Sequence, residues 1–259
     1  MKGEDMEKAS TKCLMCGRVS PFDVCKECAD LMRDRKTRQK VYDSRYQIYN
    51  VDHGRVDCEF INDLISPEMT VLELGAGAGH LSNMCMNLTD HVISTDFSPA
   101  MAYKARRSYS NLEICIADAE AQLPFKESSF DVIISSEVIE HLFNITIHLE
   151  QIRRLLKKNG LYIIKTPNKT LESVYNHMSK KDNYYYRSFH PSIQSYFSLK
   201  NILIKNGFKP TFLRMAKLSQ SQKNKIGFNA GIKCVQTLLK YSPYCLQPSL
   251  ICIARKIYP

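Results

Sequence analysis

The sequence predicts an α/β fold in which helices wind around a parallel sheet. Three observations carry this. After Pro67, short β-branched runs alternate with helical patterns; a glycine-rich turn closes the first run; and the next two runs each end in an aspartate. Strand–helix alternation on this scale means βαβ units, and ligands of such sheets bind outside the C-terminal ends of the strands.

In chain order, the first dozen residues are polar, and four clustered cysteines follow at 13–28. From Cys28 to about Asn50 the pattern is basic and helical, with Leu31, Met32, Tyr42, Tyr46 and Tyr49 set among Arg33, Arg35, Lys36, Arg38 and Lys40. Strands are expected at Thr70–Gly75, His91–Thr95, Leu112–Ala117, Phe130–Ser135 and Leu161–Thr166. Helices are expected at His80–Leu88, Pro99–Ser108 and Ile145–Lys158, the last with Ile145, Leu149, Ile152, Leu155 and Leu156 on one face. A helix around Ile193–Asn206 and strands at Phe208–Met215 and Ser249–Lys256 complete the pattern. No repeat or low-complexity tract interrupts it.

Composition narrows the class. With 259 residues, 44% hydrophobic and 24% charged, the chain is an ordinary globular one. It contains no apolar run of the length a membrane span needs, and its N-terminus lacks the apolar core of a secretory signal. Ten cysteines without an export signal point to a reducing compartment, hence a cytoplasmic location. The net charge of +10 is unevenly spread. Residues 183–259 hold twelve basic side chains and no acidic one, which leaves 24 basic and 26 acidic in residues 1–182. A surface of that kind attracts anions such as nucleic acid, lipid headgroups or phosphorylated small molecules, or is a solvated face without a specific ligand.

The first strand runs into Glu73-Leu74-Gly75-Ala76-Gly77-Ala78-Gly79-His80. Glycines between a strand and a helix let the backbone approach a ligand and aim free N–H groups at it. The dinucleotide fingerprint requires a third glycine at position 80, where this chain has His, so a nicotinamide dehydrogenase is set aside. Asp96 ends the second strand, where a carboxylate accepts ribose hydroxyls, and Asp118 ends the third, where it can accept from an adenine amino group. Each alone could be a helix cap.

These features resemble the core of the class I S-adenosylmethionine-dependent methyltransferases over residues 70–166, through ELGAGAG, the strand-terminal Asp96, ADAEAQLPF, FDVIISSEVIEHL and LKKNGLYIIKTPN. The resemblance implies a Rossmann-like seven-stranded sheet with its last strand antiparallel. It implies that Glu73, Gly75, Gly77 and Gly79 flank the methionine part of S-adenosylmethionine, that Asp96 takes the ribose, and that Asp118 with Ala119 takes the adenine. Ala76, Phe97 and Ser135 complete the expected cofactor set.

After the fourth strand comes Ser135-Ser136-Glu137-Val138-Ile139-Glu140-His141-Leu142. If helical, it puts Glu137 and His141 on one face at i and i+4. Methyl transfer is an in-line displacement, in which positioning does most of the work and a base is needed only when the acceptor must lose a proton. His141 suits that task, with Glu137 as its catalytic companion; alternatively both merely orient the loop. The EVIEHL string, with TPN, His190…Tyr196-Phe197-Ser198 and Asn206-Gly207-Phe208, is similar to the quinone-biosynthesis O-methyltransferases, which implies a small or lipid-like acceptor, and the basic C-terminal region adds the expectation that it is anionic. It also resembles the RNA 3′-end 2′-O-methyltransferases, which implies a magnesium ion held by Glu137, Glu140, His141 and His190, although the surroundings of His190 depart from that pattern. A non-catalytic scaffold keeping the cofactor fold is the third reading.

Cys13, Cys16, Cys25 and Cys28 form C-x2-C-x8-C-x2-C, a spacing that predicts a tetrahedral structural zinc site of two thiolate pairs, with an iron–sulfur centre or a redox pair as the alternatives. The organisation expected is therefore a zinc-ribbon-like module at 1–30, a helical linker or lid at 31–66, and a methyltransferase domain at 67–259. Tyr46 and Tyr49 sit where a helix could close over the cofactor, or are core packing. The Tyr184-Tyr185-Tyr186-Arg187 run could stack on bases or on an aromatic acceptor, or fill a loop. The basic amphipathic stretch from about Ala216 to Pro248 could make peripheral contact with an anionic membrane, grip RNA backbone, or simply pack as a helix.

Overall fold

The computed structural model describes residues 11–12, 19–20, 30–48, 56–178, 189–214 and 236–257. Cys13, Cys16, Cys25 and Cys28, Tyr49, the 184–187 run and most of the 216–248 stretch lie outside the described residues, as does the Tyr46 side chain.

Two short strands, β1 (Thr11–Lys12) and β2 (Val19–Ser20), pair antiparallel. A 3-10 turn at Asp30–Arg33 leads into helix α1 (Arg35–Ile48), capped by the Asp34 carboxylate, which accepts the Thr37 N–H at 2.8 Å. The main sheet comprises β3 (Val71–Leu74), β4 (Val92–Asp96), β5 (Glu113–Ile116), β6 (Phe130–Ser136), β7 (Leu156–Pro167), β8 (Phe208–Leu213) and β9 (Ser249–Lys256). Helices α2 (His80–Met86), α3 (Pro99–Ser108), α4 (Ile145–Leu155), α5 (Lys169–Met178) and α6 (Tyr196–Lys205) connect them. The strand order is β5-β4-β3-β6-β7-β9-β8, parallel except for β9, which runs antiparallel to both neighbours. The seven-stranded expectation and its antiparallel last strand both hold.

Strand alternation explains the three layers. Side chains one apart face opposite sides of a sheet. Leu72, Leu74, Ile133, Tyr162 and Ile164 therefore pack against Ile145, Leu149, Ile152 and Leu155 of α4 and Leu199 and Leu203 of α6. Their neighbours Val71, Val132, Ile134 and Ile163 pack against Ile61 and Ile65 and against Leu81 and Cys85 of α2. β3 pairs with β4 on one side and β6 on the other, so the chain reverses its winding there and opens a crevice at the strand ends.

Local limits differ from the expected ones in places. α4 stops at Leu155, and Leu156 is already extended and paired with Phe130. Leu156 is buried as the helical periodicity requires, but as the first residue of β7; Asn159 at φ 63° then turns the chain before pairing resumes at Leu161. α6 begins at Tyr196, where Ser195 and Ser198 form a reciprocal capping box.

Candidate active site

A cleft opens at the switch point, where ligands of such sheets bind. Its lining draws on each of the strand-end segments expected from the sequence: Gly75 and Gly77 after β3, Asp96 and Phe97 after β4, Asp118 and Ala119 after β5, Glu137 and His141 after β6.

The glycine turn is held open by its backbone. Gly75 has φ 67°, and a Cβ there would stand 2.5 Å from Val138 Cγ2, so only glycine lets the β6 loop close on the turn. At Gly79, with φ 84°, a Cβ would press on Leu112, Tyr109 and Ala105 at 3.0–3.2 Å. Asp96 ties this turn to the next: one carboxylate oxygen accepts the Gly77 N–H at 2.7 Å and the other the Ser98 N–H at 2.8 Å. A carboxylate offers about four lone-pair sites, more than these two N–H groups occupy.

Asp118 accepts the Glu120 N–H at 2.9 Å and pairs with Arg35 Nε at 2.8 Å. Glu120 also lines the cleft; it accepts Arg38 at 2.9 Å and the Phe143 and Asn144 N–H groups at 2.7 and 2.6 Å. The Arg38 guanidinium lies over the Phe97 and Phe143 rings, 5.5 and 4.8 Å from their centroids. Helix α1 thus crosses the cleft, fastened further by Gln39 donating to the Phe97 carbonyl at 2.8 Å and by Ser98 Oγ donating to Asp43. Tyr42 of the same helix lines the cleft. Sequence reasoning missed Arg35, Arg38, Gln39 and Tyr42 as site residues. Their spacing of three and four does place them on one helix face, but that face is polar and reads as solvated.

On the acceptor side the helical premise fails. Glu137 has φ 58° and donates its N–H to the Lys165 carbonyl at 2.8 Å, continuing the β6–β7 ladder; only Ile139–His141 forms a short 3-10 turn. Glu137 and His141 both reach the cleft, from a left-handed turn rather than a shared helix face. Lys165 Nζ stands 3.5 Å from the Glu137 carboxylate. Glu140 is buried, accepts the Thr166 hydroxyl at 2.9 Å, and is held well above the ordinary carboxylate range by that burial and by Glu137. His141 Nδ1 lies 2.6 Å from the Phe189 carbonyl and 3.0 Å from the Tyr42 hydroxyl. Glu140, His141 and His190 come together, with one ligand atom of each within 4.8 Å of the others.

Four expected cofactor residues stand behind the lining. Glu73 faces away from Leu72 and Leu74, fully buried, and accepts the Ser82 hydroxyl, to which Ser94 donates at 2.8 Å. Ser135 is 2.6 Å from the Tyr162 hydroxyl, which is 2.7 Å from His148 Nε2. Ala76 donates to the Thr95 carbonyl at 2.9 Å, and Gly79 begins α2. None of the four is among the residues that line the cleft.

Sheet order, glycine turn and strand-end aspartates define a class I S-adenosylmethionine-dependent methyltransferase domain. The chain belongs to the family described as "Methyltransferase domain", whose profile matches residues 65–226, more than half of its length. A Mycobacterium tuberculosis protein described as a probable S-adenosylmethionine-dependent methyltransferase is 31% identical over 99 residues, 38% of this chain and 36% of that protein. The ubiquinone biosynthesis O-methyltransferase of Pelagibacter ubique is 33% identical over 107 residues, 40% of this chain and 44% of that one. The chain thus matches well under half the length of these curated relatives. Among solved structures, the YcgJ protein of Bacillus subtilis shares the fold with a TM-score of 0.56 at 18% identity, over 77% of this chain and 97% of that one.

Proposed function

We propose that the protein is an S-adenosylmethionine-dependent methyltransferase whose acceptor is small or lipid-like and anionic. What carries this reading is the continuity of the cleft: Gly75, Gly77, Asp96 and Asp118 line the same space as Glu137 and His141. The residues fit the cofactor. The steric room kept at Gly75 admits close backbone approach, Asp96 brings a carboxylate to the cleft for ribose hydroxyls, and Asp118 with Ala119 stands at the adenine end. Bound there, S-adenosylmethionine supplies an electrophilic methyl group on sulfur. The chain's own work is positioning. α1 covers the cleft and excludes water, and the His141 imidazole faces the acceptor side. A carbonyl can only accept, so the short bond to Phe189 puts the ring hydrogen on Nδ1 and the lone pair on Nε2. His141 Nε2 would take the proton of a hydroxyl acceptor as that oxygen accepts the methyl group. The acid-free 183–259 region favours an anionic acceptor and peripheral contact with an anionic membrane.

The gathering of Glu140, His141 and His190 favours a second reading, in which a divalent ion assists transfer to an RNA 3′-end 2′-hydroxyl. Two imidazoles and a carboxylate are nitrogen-rich for magnesium, which prefers oxygen; Glu137 beside them is the further oxygen donor such an ion would need. Structural zinc at Cys13, Cys16, Cys25 and Cys28 belongs to the proposal too, supported by their C-x2-C-x8-C-x2-C spacing. The thiol-rich composition favours the cytoplasm. Among the described residues no helix is long and apolar enough to cross a membrane.

The deciding experiment is label transfer from methyl-tritiated S-adenosylmethionine into a fractionated cell extract, with and without ribonuclease and metal chelation. Label that survives both and partitions into organic solvent supports the small or lipid-like acceptor. Label lost to ribonuclease and dependent on metal supports the RNA reading. Cofactor binding without any transfer leaves the scaffold.

A further inference from the structure

We propose that Tyr42 is a positioning residue that orients His141 only when helix α1 is closed over the cleft. This rests on the reading of His141 as the group that faces the acceptor.

One aromatic ring joins the two halves of the site. The Tyr42 ring meets Phe97, on the cofactor side, edge-on at 6.3 Å and 83°. It meets His141 at 5.7 Å and 87°, and Phe189 at 6.1 Å and 84°. Its hydroxyl lies 3.0 Å from His141 Nδ1, the same nitrogen that the Phe189 carbonyl engages at 2.6 Å. The Nδ1 hydrogen therefore faces two oxygens, one from each side. Phe189 sets the tautomer, and Tyr42 restrains rotation of the ring about its bond to Cβ. Nε2 is then presented on the opposite side, towards Glu140 Oε1 at 4.0 Å. Presentation of Nε2 is what either role of His141 requires, as proton acceptor or as metal ligand.

The two oxygens arrive on different elements. Phe189 is buried beside His190, on the acceptor side. Tyr42 rides on α1, whose hydrogen bonds from Arg38 to Glu120, from Gln39 to the Phe97 carbonyl and between Asp43 and Ser98 reach the cofactor half, while Arg38 also lies over Phe143. Seating α1 over the cofactor thus brings the second restraint onto His141. Without α1 in place His141 loses the Tyr42 restraint and keeps its contacts to the Phe189 carbonyl and the His190 ring. Water exclusion and assembly of the acceptor side become one event.

The test uses the full-length protein and Tyr42→Phe, which keeps the ring and its edge contacts and removes only the hydroxyl. S-adenosylmethionine affinity is measured by calorimetry, and turnover as tritiated methyl incorporated, at saturating cofactor, into the extract fraction that the wild-type protein labels. Expected are an affinity within about twofold of wild type and incorporation reduced about five- to tenfold, the scale of one hydrogen bond. In a His141→Gln background, Tyr42→Phe should add nothing, because the two act as a unit. Unchanged turnover overturns the proposal, as does loss of affinity by the same factor as turnover, or an effect additive with His141→Gln. Wild-type turnover by His141→Gln alone instead overturns the reading of His141, a result distinguishable from the others.

Discussion

Arg38 donates to Glu120 across 2.9 Å, and both side chains are largely withdrawn from water, at 9% and 11% exposure. The other Glu120 oxygen receives the Phe143 and Asn144 N–H groups where α4 begins, so one carboxylate holds helix α1 and neutralises a helix N-terminus together. Arg38→Ala leaves that buried carboxylate without its cation and is expected to cost about 3 kcal/mol, the scale for breaking a buried pair from one side. Chemical denaturation should show that loss, and calorimetry should show S-adenosylmethionine binding weakened by about tenfold. A double-mutant cycle with Glu120→Gln should return a coupling of about 1–3 kcal/mol.

Asp96 serves two backbone donors, Gly77 and Ser98, besides its expected ribose contact. Asp96→Ala should abolish cofactor binding. Asp96→Asn keeps the shape but offers one carbonyl oxygen and turns an NH2 towards a backbone N–H. It should weaken affinity by about ten- to a hundredfold and cost about 1–3 kcal/mol of stability. Calorimetry of both variants checks this, and wild-type affinity in Asp96→Ala would remove the ribose role.

His148 links the Ala119 end of the cleft to the core. Its Nδ1 donates to the Ala119 carbonyl at 3.0 Å, and its Nε2 accepts from Tyr162, itself 2.6 Å from Ser135. Burial lowers its pKa to about 4. In the unfolded chain a histidine titrates near 6.5, so between 6.5 and 4 the unfolded state takes up a proton that the folded state refuses. The stability that neutral His148 contributes is therefore complete above pH 6.5 and is lost as pH falls, by about 2 kcal/mol at pH 5. Urea midpoints at pH 7 and pH 5 should differ less in His148→Gln than in the wild-type protein.

For the cysteine cluster, metal analysis of the purified chain should return one zinc per molecule. Strong chelation, or serine at Cys13 and Cys16 together, should release it and lower the melting temperature. Folded protein with no zinc would remove the site.

Much of the cofactor side was legible because its signals are local. Turn glycines, strand alternation and an aspartate at a strand end act within a few residues, so Gly75, Gly77, Asp96 and Asp118 could be named in advance, and all line the cleft. The same alternation could have placed Glu73: with Leu72 and Leu74 facing one layer, it must face the other, where Ser82 receives it. Leu156 shows the limit of periodicity, since a buried leucine satisfies helix and strand alike until its pairing with Phe130 is known. Arg38 and Tyr42 were legible only as members of a basic helix, because their partners stand 82 and 99 residues away.

Sequence by itself determined the class of fold and the backbone chemistry of the cofactor turn, because hydrophobic period and turn residues act at short range. Tertiary structure alone decided the rest. It laid a polar helix face over the cleft, where Arg35 and Arg38 meet Asp118 and Glu120. It turned Glu137 through a left-handed conformation and brought His190 beside His141. The physical reason is common to these features: ion pairs and hydrogen bonds between distant segments become strong only once packing excludes water around them, and no local pattern records which segments will meet.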